Sequence, residues 1–287
     1  MKAYLDCVVC HQRQALRIAR LISDDETLRE EIMRQVMAHL SEANWDTDPM
    51  TITKGVYEVI HRVTGNADPY KELKYRSNED VLQCYPELQE YIKTSEDPLL
   101  TACKLAIAGN IMDFGAKEHF DIQETIQHVL QTDFAVNDYG RFKTSLGKAS
   151  SLLLFVDNAG EIVFDKLLLE TILQYHPLQK ITVIIKAWPI INDATMDDVR
   201  QIGLTDLPNI EFRSINTNTN SNGNSAWLQP EVKIWIQDHD IVLSKGQANY
   251  ETLNELKGIF FLLIAKCAIV ADDTGTQMGA LLFKYSS

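Results

Sequence analysis

Three stretches of the chain put oxygen-rich side chains directly after apolar runs. The run at 152–156 stops at Asp157, Asn158 and, three residues on, Glu161. The run at 180–188 leads through Pro189 to Asn192 and Asp193. The run at 240–245 ends in Ser244 and Lys245, followed by Gly246, Gln247, Ala248 and Asn249. Asp157, Asn158 and Asp193 offer hard oxygen donors of the kind that Mg²⁺ or Mn²⁺ takes. Such ions keep waters and complete their shell from a substrate phosphate. Gly160 lets backbone come close, and a helix beginning beside it turns free N–H groups toward an anion. Lys245 adds a point charge suited to a phosphate oxygen. A metal ion, a lysine and a helix terminus together stabilise the charge that builds on a transferring phosphoryl group.

Each feature also has a plainer explanation. An Asp-Asn pair ahead of a helix is ordinary capping. Asp193 can simply open the turn before Thr195, and a lone lysine in a turn is usually solvated. What argues for chemistry is convergence, and convergence depends on the elements that carry these residues. From about 150 onward, short β-rich runs (152–156, 180–188, 209–215, 240–245, 258–265 and 268–271) alternate with helical ones. Strands buried on both faces and separated by helices indicate an α/β domain with a mostly parallel sheet. In such sheets ligands bind beyond the carboxyl ends of the strands, where all three stretches end. The run at 268–271 would bring Asp272 and Asp273 to the same edge.

Residues 1–135 read as an all-helical domain, and 136–287 as the α/β domain carrying the site. Ser23-Asp24-Asp25-Glu26 has the form of a capping box. Leu28, Ile32, Val36 and Leu40 then recur at helical spacing. Further amphipathic helices are expected near 52–63, 78–93, 98–111 and 122–131. Residues 216–226, NTNTNSNGNSA, form a polar low-complexity surface loop.

Twenty-seven basic and forty acidic residues leave a net charge of −13. An acidic chain repels nucleic acid and anionic membranes; a small phosphorylated ligand is still admitted if the site supplies its own cations. No apolar run approaches the roughly 18 residues of a membrane span, and the N-terminus lacks the apolar core of a secretory signal. These features lead us to expect a cytoplasmic protein with no nucleic-acid or membrane partner. Five cysteines in a chain of this length do not form a disulfide framework. Cys7 and Cys10 make a C-x-x-C beside His11, readable as metal ligands, a redox pair or small buried residues. The chain has no G-x-G-x-x-G after the first strand, no P-loop and no G-x-S-x-G elbow.

FVDNAGEIVFD (155–165), Asp193 after KAWPIIN, LSKGQANYE (243–251), AGNIMDFG (108–115), DPYKELK (68–74) and CVVCHQRQALR (7–17) stand in an order that resembles the damage-control phosphatase family, in its stand-alone prokaryotic C-x-x-C branch. The resemblance spans nearly the whole chain. It implies a helical N-terminal domain packed on a Rossmann-like three-layer α/β/α domain. It also implies hydrolysis of small phosphorylated metabolites with a divalent ion, Mn²⁺, Mg²⁺, Co²⁺ or Ni²⁺. By position, the family's metal ligands fall on Asp157, Asn158 and Asp193, and its phosphate-contacting lysine on Lys245. Asn110 and Asp113 fall where the helical domain contributes to the cleft, and Gly160, Gly246 and Asn249 fall in the substrate-binding motifs. Glu161 stands as a supporting group or a base.

The leading expectation is therefore a metal-dependent phosphomonoesterase acting on sugar phosphates, nucleotides or phosphopantetheine-like compounds. Its nucleophile is either a metal-bound water or Asp157. Two other classes stay open on the sequence: an S-adenosylmethionine-dependent methyltransferase, and a non-catalytic module that binds a metabolite or metal.

Overall fold

A computed structural model describes residues 1–111, 122–215 and 230–287. Asp113 and the Asn-rich segment 216–226 lie outside them. Among the described residues seven strands form one sheet: β1 (Val136–Asn137), β2 (Ser151–Phe155), β3 (Lys180–Lys186), β4 (Ile210–Ile215), β5 (Ile241–Lys245), β6 (Ile259–Ile264) and β7 (Leu281–Tyr285). Their order is β1-β7-β6-β5-β2-β3-β4. All neighbours run parallel except β6 and β7. The fold class is mixed α/β with a mostly parallel sheet, as expected.

The strand runs are almost wholly apolar because both faces are covered. Successive side chains alternate between faces: Leu152 and Leu154 enter one core, Leu153 and Phe155 the other. The run at 268–271 departs from expectation. It opens helix α13 (Ala268–Thr274), which Gly275 closes in a left-handed conformation at φ 68°. Four apolar residues fit either period, and the flanking glycine is the signal that favoured helix. Asp273 accordingly lies on a helix, where it accepts from the Tyr250 hydroxyl at 2.6 Å rather than joining the strand-end site. The last strand, LLFKY, lies between β6 and β1 instead.

Helices α1 (Leu5–Ile22), α2 (Glu26–Glu42), α3 (Pro49–Thr64), α4 (Lys71–Gln83), α5 (Tyr85–Thr94), α6 (Pro98–Ile111) and α7 (Ile122–Gln131) precede the sheet, and α8 (Tyr139–Leu146), α11 (Pro230–Gln237) and α12 (Gln247–Leu253) are among those between its strands. The cap of α2 is Asp25, whose side chain accepts from Thr27 N; the Ser23 hydroxyl accepts from Asp25 N instead. The expected helix at 78–93 is two helices, because Pro86 lacks the N–H that would continue α4 into α5.

The change of pattern near 135 marks where strands begin, while packing follows a different line. Helices α1–α3 close around Ile18, Ile32, Val36, Leu40, Val56 and Ile60, together with Ile190 from the other half of the chain. Helix α6 belongs to the core of the sheet. It crosses α9 (Glu161–Tyr175) so closely that a Cβ on Gly109 would stand 2.8 Å from the Glu161 Cα.

Candidate functional site

Strand β2 has β3 on one side and β5 on the other. The chain winds outward from β2 through β3 to β4, then in the opposite direction through β5 to β6. A crevice opens at such a reversal, beyond the carboxyl ends of the strands. Residues 157–159 and 192–194 pair there as a short antiparallel bridge. Ala194 N donates to Asp157 O and Ala159 N to Asn192 O, both at 2.8 Å. Asn158 and Asp193 therefore stand opposite each other. Backbone pairing brings together three side chains that lie up to 36 positions apart in the sequence.

Asp157 is buried and held from three directions. Its Oδ2 accepts from Asn110 Nδ2 at 2.9 Å and from Asn158 Nδ2 at 2.8 Å. The same two amides donate to Glu161 Oε2, at 2.8 Å and 3.2 Å. Gly246, at φ +80°, supplies the third wall, since a Cβ there would stand 1.8 Å from Asp157 Oδ2. Only a residue without a side chain fits this approach.

Lys245 occupies a different place from the one expected. It is fully buried, and its ammonium donates to Ala106 O at 2.8 Å, Glu161 Oε1 at 2.9 Å and Asp165 Oδ1 at 2.7 Å. All three N–H donors are engaged. Despite the burial penalty, the charges of Asp165 and Glu161 raise its pKa. The amides near Gly160 are also committed: Ala159 N to Asn192 O, and Gly160 N to Asn78 Oδ1 at 2.6 Å. Asn249 ties strand ends together, donating to Val156 O and Lys245 O.

A second layer reaches the site from the helices. Asn78 donates to Asp198 Oδ1 at 3.0 Å while accepting from Gly160 N. Asp198 Oδ2 caps α10 (Met196–Gln201) by accepting from Thr195 N. Lys74 stands between Asp68 at 3.0 Å and Asp198 at 3.7 Å. The 68–74 motif thus braces the turn at Gly160 from outside.

The charges at the centre do not balance. Among the described residues five buried carboxylates, Asp157, Glu161, Asp165, Asp193 and Asp198, meet three buried ammonium groups, Lys74, Lys186 and Lys245. Burial, then the charges of Glu161 and Asp193, pushes Asp157 up to about 7. Burial likewise pushes Asp193 to about 6 and Asp165 to about 7, in each case against the pull of the neighbouring lysine. Asn110 Oδ1 and Asp193 Oδ2 are buried without a hydrogen-bond partner among the described residues. Two carboxylates and an amide make a hard-oxygen donor set that fits a divalent cation. Among the described residues no three His, Cys, Asp or Glu side chains gather as ligands, so any metal held here takes an amide or water oxygen as well.

The damage-control phosphatase ARMT1-like domain matches residues 3–282. The chain belongs to that family. A damage-control phosphatase of Archaeoglobus fulgidus is 32% identical over 97% of both chains. One of Pyrococcus horikoshii is 30% identical over 98% of this chain and 97% of its own. The crystal structure of the latter, described as a DUF89 family protein, superposes over the full length of both chains with a TM-score of 0.84 at 28% identity.

For this damage-control phosphatase family member, sequence reasoning missed Lys186, Asp165 and Asn78. Each left a signal. Lys186 is a charge at the end of an otherwise apolar strand. Asp165 lies one helical turn from Glu161 amid apolar neighbours. Asn78 lies on a helix face with Lys74. No helix among the described residues is long and apolar enough to cross a membrane.

Proposed function

We propose that the protein is a divalent-metal-dependent phosphomonoesterase acting on small phosphorylated metabolites of the sugar phosphate, nucleotide or phosphopantetheine type. The observation that carries the reading is the surplus of two formal negative charges, counted among the described residues, at a buried centre whose carboxylates are driven toward protonation. A buried surplus of that size is unfavourable unless a cation or protons offset it. Membership of a phosphatase family and the acidic net charge favour a cation that doubles as the phosphate receptor.

Asp157, Asn158 and Asp193 would hold the ion. When bound, it would supply Lewis-acid polarisation of the phosphoryl oxygens and a more acidic water. The chain's own residues do the rest. Asn110 and Gly246 fix the orientation of Asp157. Glu161 accepts from Asn110, Asn158 and Lys245 and so locks the amides in place. In the reaction water forms the new P–O bond and the bond to the substrate alcohol breaks. One water proton passes to the departing oxygen, giving alcohol and orthophosphate. Fixed dipoles and charges, already oriented, lower the barrier of such a transfer.

The test is phosphate release from p-nitrophenyl phosphate and a panel of phosphorylated metabolites. Protein is stripped with chelator, then given Mg²⁺, Mn²⁺, Co²⁺ or Ni²⁺ singly, with Asp157→Ala in parallel. Release that requires an ion and vanishes in Asp157→Ala supports the reading. No release with any ion from folded protein overturns it; binding of S-adenosylmethionine would then point to the methyltransferase.

A further inference from the structure

We infer that Lys186 is the lysine that meets the phosphoryl group of the substrate, the role that sequence position suggested for Lys245. This inference rests on the phosphatase reading of the site.

Strand register separates the two lysines. Phe155 of β2 aligns with Ile184 of β3 and with Ser244 of β5. Two residues beyond Phe155 comes Asp157; two beyond Ile184 comes Lys186. Both keep the parity of Phe155 and Ile184, whose side chains share one core. Lys245 has the opposite parity. It aligns with Leu262, which lies in the other core, beneath α6 and α9. That is why its ammonium finds Ala106 O on α6 and Asp165 on α9. Lys245 is spent anchoring α6 and α9 to the sheet through Ala106, Glu161 and Asp165, while Lys186 shares the parity of Asp157.

The surroundings of Lys186 fit the role. Its Nζ lies 4.0 Å from Asp193 Oδ2 and 3.3 Å from Asn249 Oδ1. Asn249 is itself pinned by bonds to Val156 O and Lys245 O, so the ammonium is steered by a rigid neighbour. Its backbone N–H donates to Ala194 O, which joins it to the bridge carrying Asp157 and Asp193. An oxygen drawn to a cation held by Asp157 and Asp193 therefore arrives beside this ammonium. A cation at that point opposes the charge spread over the non-bridging oxygens during transfer.

The experiment measures two affinities separately on Lys186→Met, Lys186→Arg and the unaltered protein. One is Mg²⁺ binding to chelator-stripped protein; the other is orthophosphate binding to Mg²⁺-loaded protein, both by calorimetry. We expect Lys186→Met to weaken orthophosphate binding by about 10- to 100-fold, the range of a charge-assisted hydrogen bond. Its Mg²⁺ affinity is expected to hold or rise, because a cation next to the acidic pair has gone. Lys186→Arg should recover part of the phosphate affinity. Should Lys186→Met not fold, Lys186→Gln takes its place. Unchanged orthophosphate affinity in the folded variant overturns the inference, as does a parallel loss of both affinities, the mark of a structural role. If the unaltered protein neither binds Mg²⁺ nor releases phosphate, the phosphatase reading fails first. If it does both and Lys186→Met keeps its orthophosphate affinity, only the assignment of Lys186 fails.

Discussion

The carboxylate of Asp157 rests against the bare α-carbon of Gly246. A Cβ added there would stand 1.8 Å from Oδ2 and 2.3 Å from Cγ. The contact joins the ends of β2 and β5 and fixes the direction of a candidate metal ligand. Gly246→Ala is expected to fold with a loss of about 1–3 kcal/mol from the positive φ. It should also lower phosphate release by about 100-fold, as displacement of a catalytic group by an ångström does. Thermal melting and steady-state kinetics on the same preparation check both.

The crowding of carboxylates sets a pH dependence. Asp157 and Asp193 titrate near 7 and 6 in the folded protein, above their ordinary value of 3.8. The folded state therefore holds more protons than the unfolded one across that interval. Their contribution to stability is complete below about pH 4 and is lost as pH rises through about 7. Metal-free protein should melt at progressively lower temperature from about pH 5 to pH 8. Saturating Mg²⁺ should flatten that fall and release protons on binding. Calorimetric melts with chelator and with Mg²⁺, across buffers, measure both effects.

Asn78 is the bond by which a helix of the N-terminal half holds the turn at Gly160. Asn78→Ala leaves the Gly160 N–H without its acceptor and takes one donor, that to Oδ1, from Asp198. The expected cost is about 2 kcal/mol or more, the penalty of buried polar groups left unpaired. Chemical denaturation reads the loss, and a matching decrease in kcat tests whether the brace reaches the site.

Asp165 and Lys245 form a buried pair at 2.7 Å, far from solvent. Asp165→Asn removes one charge and leaves the ammonium facing Glu161. The ammonium keeps Glu161, so the expected cost is that of one charge-assisted hydrogen bond, about 1.5–3 kcal/mol. An unfolding midpoint unchanged from the unaltered protein would show that the pair does not anchor α9 to the sheet.

The strands were readable because burial on both faces leaves uninterrupted apolar runs, and five of the six expected runs are strands. The sixth, 268–271, was too short for its period to decide. The convergence of Asp157, Asn158 and Asp193 was readable from strand ends alone, since every parallel strand points its carboxyl end the same way. The facing of Lys245 was not. One residue of register decides which face a side chain takes, and that register is set by partners distant in the chain, as where Ser244 of β5 aligns with Phe155 of β2. The same holds for α6, whose helical pattern is plain but whose place in the sheet's core comes from the approach of Gly109 to Glu161.

On the proposed reading the excess carboxylate charge holds one divalent ion. Electron paramagnetic resonance of Mn²⁺ added to chelator-stripped protein tests it most directly, because free and bound ions are read separately. Saturable uptake of one Mn²⁺ per chain is expected, abolished or sharply weakened in folded Asp193→Asn. A free-ion signal that rises in step with added Mn²⁺ from the first addition, in protein that is folded, would contradict it.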